Sequence, residues 1–343
     1  MKTAGEILIP SFAMHRRLPL NFRENDRVYF QNELTRHCPH IRLIECSDVL
    51  LDAHKGVVID GWRVCPESLV SPGLIPSYGL PYVLRTVVKP RRRLKGGPYL
   101  MIHTSYCEGY GHWLSDAIPR LFLVRDRLAD YKLLLPSNYT QNFYRDSLLP
   151  FGYADGRSIH YEQSPRCRVD RLAFSPHAGP SFCNVKDEIL QEIRLLYYSY
   201  FGIPTAAPTR RIYVSRAKVS RRFVKNEDEV LRVLSKNGFE VVHPQEYSFL
   251  EQLKLAAEAE IMIGLTGSGL NNMMFMQPGS KVLEFKMKGD YHNLHYFGFA
   301  SGLELSYYYQ ICETIGKDRV DADFVVDIPV LEGTLAQMLT YPS

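Results

Sequence analysis

Between residues 211 and 285 short β-branched runs alternate with helical stretches, and no other feature restricts the fold of this chain so strongly. Residues 211–215, 239–242, 261–264 and 281–285 read as strands, each bounded by Gly, Pro or a charged turn. Helices are expected over 226–238, 248–259 and 270–276. Asn226 with Glu229, and Ser248 with Glu251, have the N-cap pattern of a polar residue followed three positions later by an acid. Strands that alternate with helices in this way form a parallel sheet with helices on both faces, and such doubly wound sheets bind ligands beyond the carboxyl ends of their strands.

The first half follows a weaker version of the same pattern. Residues 98–103, 132–135 and 169–174 read as strands. Helices are expected over 112–128, 142–149 and 185–200, the last with an Ile189, Ile193, Leu196 stripe. Before residue 98 only the short runs 6–9, 41–44 and 56–59 suggest strands. Two prolines among small residues in 201–209 read as a linker, and 343 residues exceed what one core usually holds. The expected division is therefore 1–204 and 205–330, with a remainder at 331–343.

Composition removes several classes. An apolar content of 45% with 23% charged residues describes a globular protein, and a net charge of +4 is too mild for a nucleic-acid binder. The first 17 residues hold too short an apolar run for a secretory signal, and no stretch reaches the roughly 18 apolar residues that a membrane span needs. Seven scattered cysteines (38, 46, 65, 107, 167, 183 and 312) without a CxxC pattern argue for reduced thiols and against a thiolate metal site. A cytoplasmic protein is expected. The basic run 90–95 reads as a solvated turn, with a basic contact to the acceptor or to a membrane as the sharper alternative.

Three segments carry chemistry. In the turn Gly264-Leu265-Thr266-Gly267-Ser268-Gly269-Leu270-Asn271, glycines permit close backbone approach, and the opening helix offers N–H groups to an anion such as a diphosphate. The loop 215–225 holds Arg216, Lys218, Arg221, Arg222 and Lys225 and no acid, on the same expected rim; Arg216 ranks first and Lys218 second as diphosphate ligands, with one of Arg221 and Arg222 left to solvent. Glu284 is expected at a strand end, where its carboxylate would accept from ribose hydroxyls. A nicotinamide dehydrogenase would carry its glycine turn on the first strand of the unit, where this chain has Arg216 instead. In the first half, His112 and Asp116 lie four apart on one helical face, so either can serve as the base that deprotonates a hydroxyl. Asp321-Ala-Asp323 reads as a surface strand, and neither a protein-held metal nor a cofactor is expected.

The segment GYGHWLSDAIPRL, followed by YVSRAKVSRRFVKNEDEV and by the run from Gly238 to Phe285, resembles glycosyltransferase family 61 in order and spacing, over roughly residues 100–330. The resemblance implies an α/β protein of two Rossmann-like domains in the GT-B arrangement, facing an interdomain cleft, with a last helix that crosses back to the first domain. It also implies an inverting transferase that moves a sugar from a nucleotide sugar, commonly UDP-linked, to a hydroxyl of a glycan or lipid-linked acceptor. A chain without a signal fits a bacterial enzyme of surface-polysaccharide synthesis, at the inner face of the membrane. Where the family usually has Gly-Pro-His-Gly-Ala-Gly-Leu, this chain has Thr266 in place of the histidine. An epimerase or hydrolase on the same fold, and a catalytically silent glycan-binding protein, remain as alternatives.

Overall fold

A computed structural model describes residues 2–88, 92–154, 157–177, 186–316 and 321–340. Pro90, Arg91 and Cys183, all weighed above, lie outside the described residues. The chain is α/β and separates into two compact units, Met1–Ala13 with His37–Val185, and Met14–Arg36 with Lys186–Ser343.

The first unit is built on a nine-stranded mixed sheet. Its parallel part runs Ile159–Glu162, Lys132–Pro136, Tyr99–Met101 and Arg166–Phe174, and Arg166–Phe174 then pairs antiparallel with the long strand Ile41–Asp52. Val57–Asp60 and Lys2–Ile9 add to that strand antiparallel. A parallel sheet was expected, and it is found only on one side. The long strand buries both faces: Leu51 joins Met101, Leu134 and Phe174, whereas Leu50 joins Ile59 and Val83 under the helix Leu80–Val88.

The second unit carries six strands in the order Glu240–Val242, Arg210–Val214, Ala259–Leu265, Lys281–Met287, Ser306–Ile315 and Asp323–Val325. All pair in parallel except the last. Numbered within the unit this is 2-1-3-4-5-6, so the direction of winding reverses at Arg210–Val214. The crevice between that strand and Ala259–Leu265 is the switch point where doubly wound sheets bind ligands. On one face Ile261, Ile263, Leu265, Leu283 and Phe285 pack against Val230 and Leu234 of helix Glu227–Lys236. On the other, Phe249 and Phe275 meet Tyr197 edge-on at 5.8 and 5.3 Å.

Three expectations are corrected here. Helix Asp187–Phe201 buries Leu190, Ile193, Tyr197 and Tyr198, keeping Ile193 of the expected stripe but with Leu190 and Tyr197 in place of Ile189 and Leu196, and Arg194 donates to the carbonyls of Met276 and Leu303. It therefore belongs to the second unit, and 202–209 is a loop inside that unit rather than a boundary. The last helix, Ile328–Thr340, places Leu331, Leu335 and Met338 in the core of its own unit. Asn226 is the N-cap residue of its helix, but its side chain makes no capping bond there; its amide clamps Val326, donating to the carbonyl at 2.8 Å and accepting from the N–H at 3.0 Å. The Ser248–Glu251 capping box is formed as expected.

Candidate active site

In the first unit, residues 110–122 form one helical stretch whose middle turn, Trp113–Ala117, is a π turn. Such insertions recur at functional sites. The stretch is pinned by Trp113, fully buried, whose indole N–H donates to Ser147 Oγ at 2.7 Å while its ring meets Tyr144 edge-on at 5.0 Å. That anchor fixes His112 and Asp116 on the adjoining turn.

Asp116 has no solvent exposure, and its Oδ2 lies 2.6 Å from Nδ1 of His112. The imidazole itself is 43% exposed. The same Oδ2 also lies 3.2 Å from Nε2 of His177, and Oδ1 accepts from Ser115 Oγ. Burial alone would push the Asp116 carboxyl up, but the two imidazoles, His177 foremost, hold it well below the usual carboxylate range. Burial also opposes charge on His112, yet Asp116 outweighs it and raises the imidazole above its ordinary value. Facing an ionised carboxylate, Nδ1 carries the proton and leaves the Nε2 lone pair for solvent or substrate. The ring of half-exposed Tyr106 lies 5.3 Å from that of His112.

His177 was not anticipated. A lone histidine gives no pattern; its only signal is its place just past strand Arg166–Phe174, parallel to the strand that leads toward His112. Buried Arg120 ties these two strand exits together, donating to the carbonyls of His103 and Ser175. Burial lowers its guanidinium to about 10 and that of the His103 imidazole to about 4, and pushes the neighbouring Cys107 thiol up to about 11.

In the second unit Arg216 leaves the end of strand Arg210–Val214 and donates through Nε and Nη2 to the carbonyls of Arg222 and Arg221, each at 3.0 Å. Its remaining Nη1 faces Gly267, where a Cβ would come within 2.5 Å of it. Arg222 adopts a left-handed backbone (φ 60°), unusual for a non-glycine, and its guanidinium reaches the Thr266 carbonyl at 3.4 Å. Two guanidiniums thus converge on the turn at the switch point, where the 3-10 helix Ser268–Phe275 begins. Burial, then the nearby Arg222 charge, lowers the Arg216 pKa. The other glycines serve packing: a Cβ at Gly269 would meet Val214 Cγ1 at 2.6 Å, and one at Gly264 would meet Leu270 Cδ2 at 3.0 Å.

The sequence model of the glycosyltransferase 61 family matches residues 110–283, half of the chain. The chain belongs to glycosyltransferase family 61. It is accordingly a glycosyltransferase, and the match runs from Tyr110, at the start of the His112 helix, to Leu283, beyond the glycine turn. No curated protein matches the chain. No helix among the described residues is long and apolar enough to cross a membrane.

Several assignments made from the sequence change on the geometry. Glu284 is not at a strand end: its strand continues to Met287, and the fully buried carboxylate accepts from Thr266 Oγ1 and Tyr307 OH, each at 2.5 Å. Neither Glu284 nor the Thr266 hydroxyl is therefore presented to a donor. Asn271 is also buried, with its Oδ1 2.7 Å from His295 Nε2, and Leu270 is a core residue. Lys218 pairs with Glu246 and Arg221 with Asp321, both at the surface. Arg222 takes the place at the turn that Arg221 was expected to fill. Ser268 is exposed at the helix start. Asp323 accepts from the Phe223 N–H and pairs with Lys225, so the Asp321–Asp323 pair closes against the basic loop.

Proposed function

We propose an inverting transfer from a nucleoside-diphosphate sugar in a GT-B arrangement, the second unit holding the donor and the first presenting the base. His112 takes the proton from an acceptor hydroxyl through Nε2, and the oxygen attacks the anomeric carbon. The bond to the nucleoside diphosphate breaks, and the leaving group departs with the electron pair. Asp116 orients the imidazole and stabilises the imidazolium; its complete burial is what favours His112 over Asp116 as the base. Arg216, Arg222 and the N–H groups at Ser268 and Gly269 face the diphosphate, where fixed positive charge acts most strongly as the leaving group gains negative charge. UDP is the nucleotide that the family relationship favours, and a glycan or lipid-linked saccharide the acceptor.

The observation that carries this reading is the half-exposed imidazole held on a fully buried carboxylate. A panel of nucleotide sugars is first screened for those that raise the melting temperature. With the stabilising donor, His112→Gln is expected to lose transfer by about 10²–10⁴-fold while nucleotide affinity stays unchanged. Transfer that survives this substitution removes His112 from the chemistry. Release of free sugar without any acceptor would favour a hydrolase.

A further inference from the structure

The helix Leu80–Val88 has two apolar faces, and only one of them is used. Val83 is buried against Leu50 and Ile59, with Tyr82 and Val87 flanking it, and this fixes the helix on the sheet of the first unit. Leu80, Leu84 and Val88, at i, i+4 and i+8, run along a different face and are 62, 41 and 75% exposed. Ile75, on the turn before the helix, is exposed as well. A continuous apolar stripe on a helix that is already anchored is not needed by the core.

Charge says what covers it. From Glu67 to Glu108 the intervening 40 residues contain no acid, and among the described ones Arg85, Arg92, Arg93 and Lys95 lie at and just after the helix. Arg85, Arg92 and Lys95 are exposed, whereas Arg93 pairs with Asp48 and Asp170. An apolar stripe beside a basic cluster matches the boundary of an anionic bilayer, where the side chains enter the acyl region and the cations meet the headgroups. The surface also leads to the candidate base. Tyr78, at the foot of the helix, shares a hydrogen bond with Ser105 and neighbours Tyr106, whose ring lies against His112.

We propose that the first unit docks on anionic lipid headgroups through Leu80, Leu84 and Val88 and the exposed Arg85, Arg92 and Lys95, and that a lipid-linked saccharide acceptor reaches His112 from that surface. The acceptor part rests on His112 as the base; the docking part does not.

The full chain is sedimented with vesicles of phosphatidylcholine alone or mixed with phosphatidylglycerol, without any nucleotide sugar. Binding is expected only to the mixed vesicles, with release by salt. The triple variant Leu80→Ser/Leu84→Ser/Val88→Ser and the double variant Arg92→Glu/Lys95→Glu should each bind at least about tenfold more weakly. Both spare Val83, and the charge variant alone decides the matter if the triple variant does not fold. Equal binding to both vesicle types, no binding, or unchanged binding by the charge variant overturns the proposal. So does a dimer, seen by sedimentation velocity without lipid, that the triple variant abolishes, since the stripe would then be an interface between copies. A negative vesicle result leaves the transfer reading standing, and loss of transfer in His112→Gln leaves the docking result standing.

Discussion

Replacing Asp116 with Asn should lower the titration midpoint of His112. The carboxylate lies 2.6 Å from the ring and is wholly buried. Opposite charges at such range are worth about 6 kcal/mol at an effective dielectric constant near 20 and about 1.6 kcal/mol in water. An imidazole that is 43% exposed is screened toward the lower value. About 1.5 kcal/mol remains. The midpoint is read by NMR from the histidine C2 protons, the His112 signal being the one lost in His112→Gln. His177→Leu should move the midpoint the other way, because the shared Oδ2 loses a neighbouring imidazole and draws harder on the His112 proton. In the Asp116→Asn background His177→Leu should have no effect, since it acts through the carboxylate. Stability follows the same linkage. The raised His112 contributes fully below its unfolded value of about 6.5, and the contribution is lost as pH rises through its higher folded value. The depressed Asp116 contributes above about 4, and loses this as pH falls toward its folded value. The melting difference between wild type and Asp116→Asn should therefore peak between about pH 4 and 6.5. A His112 midpoint unmoved by Asp116→Asn would refute the electrostatic account of the pair.

Arg216→Ala should weaken UDP binding by about tenfold or more in a calorimetric titration, as expected for loss of a charge-assisted contact, whereas surface-paired Lys218→Ala should change it little. Gly267→Ala should displace the Arg216 guanidinium and lower UDP affinity with little change in melting temperature; Gly269→Ala, which meets the fixed Val214 side chain, should instead destabilise by about 1–3 kcal/mol in denaturant titration. Thr266→Val should cost about 1–3 kcal/mol of stability, by removing a donor from buried Glu284, and leave UDP affinity unchanged. A fall in affinity would return Thr266 to the donor site.

What the sequence disclosed depended on how local the determining interactions were. The second unit's strands and helices came through because their signals lie within a few residues, as in the Ser248–Glu251 box and the turn at Gly267. Strand order depends on pairing across the chain, and so did not. Ile41–Asp52 finds its partners in Lys2–Ile9, Val57–Asp60 and Arg166–Phe174, the last more than a hundred residues on. Nothing local tells residues 14–36 to leave the first unit for the second, where Phe30 packs its ring 4.7 Å from Tyr309. At the site, the His112–Asp116 spacing was visible because a helix enforces it. Glu284 misled because a central strand buries all seven of its residues, so a carboxylate within it cannot be told from one at its end without knowing where the strand stops.

The basic loop shows how a run of like charge divides its labour. Lys218, Arg221 and Lys225 meet Glu246, Asp321 and Asp323, acids that lie far off in sequence and come near only because strand Asp323–Val325 and the turn at Pro244–Glu246 flank the loop. These pairs are exposed and individually weak, but they hold the loop's shape. Arg216 and Arg222 instead turn toward Thr266 and Gly267, and the part-buried Arg216 bears the repulsion of its neighbour. Folding thus spends part of its stability on bringing two like charges together at the switch point. A diphosphate would relieve that repulsion more as its own charge grows, which is the differential stabilisation that a transferase needs at the moment its leaving group departs.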